Sequence, residues 1–314
     1  MARILAVKIS TVFIQVLVVA TIVFSLVRIM PGDPAVLVLG TERGADPAAV
    51  KEMRHTLGLD QPVLTQYSNW ISDMARFDFG KSLFDEMDVK TFISQRLPKT
   101  IELAIVAILL ASLIGIPLGI IAALKRGGLV DMALSSIAAL GISFPVYVVG
   151  TFLILFFSFK LFLLPASGYV DFAEDPINHI KRIILPALTL AFGLAATIAR
   201  MTRSSMLEVL NKDFIQTLRA KGLSEKSVIF KHAFRNSIIS VITVIGLELG
   251  GLIGGTVLIE YLFNWPGMSS LLVNSIADRD YPLIQGCIIT IATCYIFVNL
   301  VVDILYGIMD PRTR

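Results

Sequence analysis

Two carboxylates, Glu248 and Asp303, lie deep in apolar runs, where an ionisable group is costly unless it faces protein or water. Such groups can line a solute path or carry a proton. Gly80-Lys81-Ser82 has the closing residues of a phosphate-binding loop, but that loop needs a glycine five residues before Gly80, and Ala75 stands there. Cys287 and Cys294 share one apolar run and sit about 10 Å apart in helical rise, too far for a disulfide. They read as space-filling thiols. His55, His179 and His232 fall in separate segments, read as loops, so no metal-ligand spacing arises. No serine sits in a nucleophile elbow and no His-Glu-x-x-His pattern occurs, so no catalytic set is assigned.

The rest of the composition explains why chemistry is sparse. The 314 residues are 55% hydrophobic and 16% charged, with mean hydropathy +0.79, more apolar surface than a soluble domain of this size can cover. The net charge is +3 and its basic residues are scattered, which argues against nucleic acid as a partner and is sufficient for a membrane surface. Apolar runs at 9–27, 103–124, 132–164, 183–199, 238–259 and 283–308 are each long enough to cross a bilayer. An all-α integral membrane protein with six transmembrane helices follows. The first run lacks a small-x-small cleavage site and reads as an uncleaved span. The third is too long for one straight helix. Ser143-Phe144-Pro145 interrupts it, after an interfacial lead-in near 131–139.

Basic residues fix the expected orientation. With the N-terminus inside, the short inner segments carry Arg3, Lys8, Lys125, Arg126, Arg200, Arg203, Lys212, Arg219, Lys221, Lys226, Lys231, Arg235, Arg312 and Arg314. The short outer ones carry Lys160, Lys181, Arg182 and Arg279, so both termini are expected in the cytoplasm. The loop at 29–100 is then a large outer element, with Trp70 and the stretch 77–79 available for a small core.

Between the fourth and fifth spans lies a basic hairpin at 204–237. Leu207, Leu210, Phe214 and Leu218 share one helical stripe, Gly222 stops the helix, and Ser224 is placed to cap a second one running toward Phe234. Two short helices with a sharp bend are expected to point into the cytoplasm. In the fifth span, Gly246, Gly250 and Gly254 recur every four residues beside Gly251 and Gly255, a face suited to close helix approach.

The stretch Phe214-Ile-Gln-Thr-Leu-Arg-Ala-Lys-Gly222-Leu-Ser-Glu resembles the signature loop of ABC importer permeases of the dipeptide, oligopeptide and nickel group. Matching pieces recur at 30–34, 57–62, 78–80, 97–100, 255–267, 279–286 and 310–314. Gln216-Thr217-Leu218 departs from the broad signature's Glu-Ala-Ala, and Ser269 stands where a glycine is more usual. The resemblance implies a type I importer permease fold in a bacterial inner membrane. Residues 1–100 would form the first helix and an extracytoplasmic docking loop, 101–308 a five-helix domain with its coupling loop at 204–237, and 309–314 a tail. It further implies a second homologous permease, two cytoplasmic ATP-binding subunits that use ATP and Mg, an extracytoplasmic solute-binding protein and surrounding lipid. No cofactor is implied on this chain. Phe214, Arg219, Ala220, Lys221, Gly222, Leu223 and Ser224 would contact the ATPase, while Glu248, Gly250, Gly251 and Gly254 would line the path. Peptides are the cargo implied first, with nickel complexes, glutathione or opine-like solutes as alternatives. A self-sufficient ion-driven carrier using Glu248 or Asp303 is the rival from the residues alone, although no inverted repeat is visible.

Overall fold

The computed structural model describes residues 2–29, 33, 35–36, 39, 46–56 and 58–309. Most of the 30–34 motif, Leu57 and the tail 310–314 lie outside the described residues. The described chain is helical: α1 (Ala2–Ile29), α2 (Pro47–Thr56), α3 (Val63–Ala75), α4 (Val89–Leu124), α5 (Leu129–Ser143), α6 (Val146–Lys160), α7 (Pro176–Leu210), α8 (Asp213–Ala220), α9 (Glu225–Gly255), α10 (Val257–Leu262), α11 (Met268–Asp278) and α12 (Tyr281–Met309). Five helices, α1, α4, α7, α9 and α12, are long and apolar enough to cross a membrane, and the α5–α6 pair makes a sixth, bent by 101°.

The bend falls where the sequence interrupts the third run. Pro145 has no N–H to continue the ladder and forces the residue before it out of the helical region. Phe144 is accordingly extended, at φ −76° and ψ 130°. Helix α7 starts at a cap, with Asp175 Oδ1 accepting from Asn178 N–H at 3.0 Å and Pro176 at the first helical position. This start precedes the apolar run by seven residues. It places His179 in a helix rather than a loop, and His55 and His232 are helical as well. The run at 238–259 ends earlier than expected, at Gly255, and Thr256 separates α9 from α10.

The chain divides into two compact units. One joins residues 2–99 with 266–296. Within it, Ala20, Val23 and Ile289 form a small core with Trp70, Ile71, Met74 and Phe79. Phe24 packs edge-on against Tyr67, with ring centres 5.1 Å apart, and in a tilted contact with Trp70 at 5.4 Å. Phe77, expected in this core, is instead exposed, because its positive φ of 60° ends α3 and turns the chain outward. Ser82 is buried, and its hydroxyl donates to Asp280 Oδ2 at 2.5 Å. That hydroxyl is a structural fastener here.

The other unit holds residues 100–265 and 297 onward. Its core comprises Leu103, Ala107, Ala111, Leu185, Ile198, Val241, Ile259, Phe263 and Trp265, among others. Helix α4 approaches α7 through glycines: a Cβ added at Gly115 would lie 2.6 Å from the Ala195 carbonyl oxygen, and one at Gly119 would lie 2.5 Å from that of Ala199. A buried carboxylate also crosses this core. Glu260 is 0% exposed, and its Oε1 accepts from Thr100 Oγ1 at 2.8 Å and Thr256 Oγ1 at 2.9 Å. The Glu260 side chain thereby ties the α9–α10 break to α4.

Two stability predictions follow from this packing. Gly119→Val drives a side chain into rigid backbone and is expected to cost about 1–3 kcal/mol, whereas Gly251→Ala enters open space and is expected to be nearly neutral. Glu260→Leu removes the acceptor of two buried hydroxyl bonds and is expected to cost about 1–3 kcal/mol, while Glu260→Gln keeps an acceptor and is expected to cost less. Thermal unfolding of purified variants in mild detergent checks both orders; equal midpoints for Gly119→Val and Gly251→Ala would refute the first.

Candidate coupling hairpin and path-lining residues

Helix α7 ends at Leu210, and Asn211 and Lys212 form a turn before α8 begins at Asp213. The hairpin is therefore a short helix, α8, joined by the bend at 221–224 to α9. The expected second short helix is the start of α9, whose Val228–Phe234 segment is a π turn. The break at 211–212 also shifts the apolar stripe by one residue: Ile215 is 0% exposed and Phe214 is 40% exposed. Ile215 joins Met206, Val209, Val228 and Ala233 in a separate buried cluster with Ile120 and Ala123 of α4. Leu207, Leu210, Leu218 and Leu223 pack against its edge.

The bend itself is a complete helix stop. Gly222 has φ +80°, and a Cβ there would meet open space, so the glycine serves backbone handedness rather than clearance. Its N–H donates to the Arg219 carbonyl at 2.9 Å, and the Leu223 N–H donates to that of Leu218 at 3.3 Å. These are the two bonds of a Schellman stop, and Leu223 and Leu218 supply its apolar contact. Across the bend, Arg219 Nε donates to Glu225 Oε1 at 2.7 Å and Nη2 to Oε2 at 3.2 Å. Both partners are largely exposed, so this bridge orients more than it stabilises. Ser224 Oγ accepts from Ser227 N–H at 3.4 Å. Arg219, Ala220, Lys221, Gly222, Leu223 and Ser224 thus lie at one bend and Phe214 in the first turn of α8, with Leu223 turned partly inward and the other six exposed.

Glu248, Gly250, Gly251 and Gly254 all lie on α9, but in different surroundings. Gly250 is buried, Glu248 is half-buried, and Gly251 and Gly254 are exposed. Gly246, one turn earlier, faces Val302 of α12 so closely that any Cβ would collide with it. The glycine face accordingly divides into a packed portion at Gly246 and an open portion at Gly251. Asp303 follows Val302 on α12 and is exposed.

Several polar residues escaped the sequence reading. Asp131, 4% exposed, forms a two-pronged pair with Arg203, Nε to Oδ1 at 2.6 Å and Nη2 to Oδ2 at 2.8 Å. His179 is buried, with Nε2 at 2.9 Å from Glu102 Oε1 and Nδ1 donating to the Val170 carbonyl at 2.7 Å. Tyr169, Phe172 and Trp265 present ring edges around it. Burial, with the Asp171 carboxylate adding to it, pushes the Tyr169 hydroxyl up to about 12, so it stays neutral at physiological pH. Among the described residues no group of three or more His, Cys, Asp or Glu side chains is placed to hold a metal ion.

Comparison with known proteins gives the family. Residues 115–314 match the family model for the inner membrane component of binding-protein-dependent transport systems, and residues 1–104 match the model of its N-terminal part. A di/tripeptide transport system permease protein of Pseudomonas aeruginosa is 41% identical over 316 residues, covering 94% of each chain. A glutathione transport system permease protein of Shigella flexneri is 42% identical over 297 residues, covering 95% of this chain and 94% of that one. The inward-facing methionine ABC transporter MetNI shares the fold over 70% of this chain and 96% of its own, at TM-score 0.59 and 15% identity. With family models and relatives matching over nearly the whole length, the chain belongs to the family of binding-protein-dependent transport system inner membrane components, as an ABC importer permease.

Proposed function

We propose that this permease carries short peptides across a bacterial inner membrane, driven by ATP that separate subunits hydrolyse with Mg. The observation that carries the reading is the bend at Gly222. It is braced from within by Ile215, Leu218 and Leu223, and it presents Phe214, Lys221 and Ser224 outward on an exposed surface. A braced bend transmits force where a loose loop would absorb it. In this reading the bend contacts a cytoplasmic ATP-binding subunit, and its movement alternates access to a path lined by Glu248, Gly250, Gly251 and Gly254. A second homologous permease completes the path, a solute-binding protein delivers the cargo from outside, and lipid surrounds the spans. Both termini lie in the cytoplasm. The element between α1 and α4 is the outer docking loop, residues 101–308 with the hairpin at 204–237 form the transport domain, and 309–314 are a tail.

The similarity to a di/tripeptide permease supports peptides as cargo. Glutathione is a second reading, because a glutathione permease is equally similar and glutathione is itself a tripeptide. Uptake of labelled dipeptide by proteoliposomes holding the full transporter, with unlabelled peptide, glutathione or a nickel complex as competitor, separates the cargoes. Competition by the nickel complex alone would overturn the peptide reading.

The bend makes its own prediction. Gly222→Glu puts a charged L-residue where φ is +80°, at about 1–2 kcal/mol of backbone strain, and is expected to leave membrane insertion intact while abolishing uptake. Gly222→Asn, which tolerates that region, is expected to retain most of it. ATP-dependent uptake measured beside the membrane content of each variant checks this; full uptake by Gly222→Glu would refute the coupling role.

A further inference from the structure

The pair between Asp131 and Arg203 differs from the exposed Arg219–Glu225 pair in that its carboxylate is buried. The Asp131 carboxylate accepts four bonds: two from Arg203, one from the Gly127 N–H at 2.9 Å and one from Ser135 Oγ at 3.4 Å. Gly127 belongs to the turn after α4, Asp131 and Ser135 to the first turns of α5, and Arg203 to the last third of α7. Three successive membrane segments therefore meet at one buried carboxylate. Arg203 stands seven residues before the end of α7 at Leu210, roughly 10 Å along the axis, and α7 leads directly into the hairpin.

Stability is a poor explanation for such a pair, since apolar side chains of similar volume often serve a buried site as well or better. What a two-pronged guanidinium–carboxylate contact provides is direction: two parallel bonds fix distance and angle, whereas apolar contacts can slide. Farther along α5, the contact with α7 at Gly141 is apolar and non-directional. Gly141 of α5 faces Ala196 of α7, where a Cβ would stand 3.1 Å from the alanine Cβ. Beyond Gly141 the third span turns by 101° at Phe144 and Pro145 into α6. Movement of α7 would slip past α5 at Gly141 unless something fixes the two helices near the hairpin.

We propose that Asp131 and Arg203 form a fixed linkage that carries displacement of the hairpin through α7 into the bent third span, and that the pair stays closed throughout the transport cycle. The linkage rests on the coupling role proposed above for the hairpin. Both are positioning residues: neither needs to touch solute or nucleotide.

The test uses the complete transporter in proteoliposomes, in a background where Cys287 and Cys294 are replaced by alanine. Asp131→Cys and Arg203→Cys are combined, and ATP hydrolysis and solute uptake are read before and after joining the two thiols with a short, rigid bifunctional thiol reagent. Before cross-linking, ATP hydrolysis is expected within about twofold of the parent while uptake falls about tenfold, the scale of a coupling loss. Cross-linking is expected to return most of the uptake, because a covalent bridge replaces the lost linkage. Three results would overturn the proposal: undiminished uptake before cross-linking, hydrolysis and uptake falling together in proportion to lost complex, or a cross-linked protein that hydrolyses ATP without uptake. The last would mean that the pair has to open. A parent transporter with no ATP-driven uptake would instead refute the importer function itself, and the linkage with it.

Discussion

Hydrocarbon offers no water to a backbone, so wherever a membrane helix is interrupted the chain must satisfy the freed N–H and C=O groups itself. That constraint bears on the bend within the third span, and hydrogen-bonded closure recurs at the break after α9 and at the hairpin stop outside the bilayer. At Phe144 the interruption uses a proline that has no N–H to leave unpaired, and the Phe144 N–H still reaches the Leu140 carbonyl. At Thr256 the Ile259 and Glu260 N–H groups donate to the Thr256 carbonyl at 3.0 and 2.8 Å, while the side chains of Thr256, Glu260 and Thr100 bond one another. At Gly222 the backbone closes the break alone, by the two bonds of the helix stop. Each break is thus closed by hydrogen bonds, and the position of the exposed bend follows from the helices on either side.

A buried cluster explains how so polar a hairpin holds its shape. Ile215 and Val228 are buried on opposite sides of the bend, and Ile120 and Ala123 of α4 complete the cluster. The exposed residues contribute little to this scaffold. The Arg219–Glu225 bridge is largely exposed, and Phe214 leaves much of its ring uncovered. Stability and surface chemistry are therefore carried by different residues of the same short helix, and a change to one set need not disturb the other.

The parts of the architecture legible in the sequence are those with a local signal. Long apolar runs announce the spans, Pro145 announces the bend in the third, and Gly222 before Leu223-Ser224 announces the stop. The turn at 211–212 has neither glycine nor proline. Asn211 keeps a near-helical backbone at φ −88° and ψ −2°, so a stripe counted straight through it arrives at Phe214 instead of Ile215. The start of α7 was hidden for a related reason: hydropathy marks where a helix becomes apolar, whereas the cap at Asp175 marks where it begins. The buried pairs had no local signal at all. Asp131 and Arg203 are 72 positions apart, Thr100 and Glu260 are 160, and only folding reveals that each carboxylate has donors. Glu248, the carboxylate most conspicuous in the sequence, is only half-buried, whereas Glu260 is wholly enclosed.

The π turn at Val228–Phe234 has a consequence for how the fifth span is aimed. A π turn accommodates one residue more than an α turn in the same helix, so it amounts to a single-residue insertion absorbed without breaking the rod. Every residue beyond it is rotated by about 100° from where an unbroken α-helix would place it. The orientation of Glu248 and the neighbouring glycines around their axis is consequently set some fourteen or more positions away, by an extra residue at the foot of the helix. Shortening that segment by one residue would leave composition, length class and hydropathy almost unaltered, yet it would turn a different side of the helix toward its neighbours.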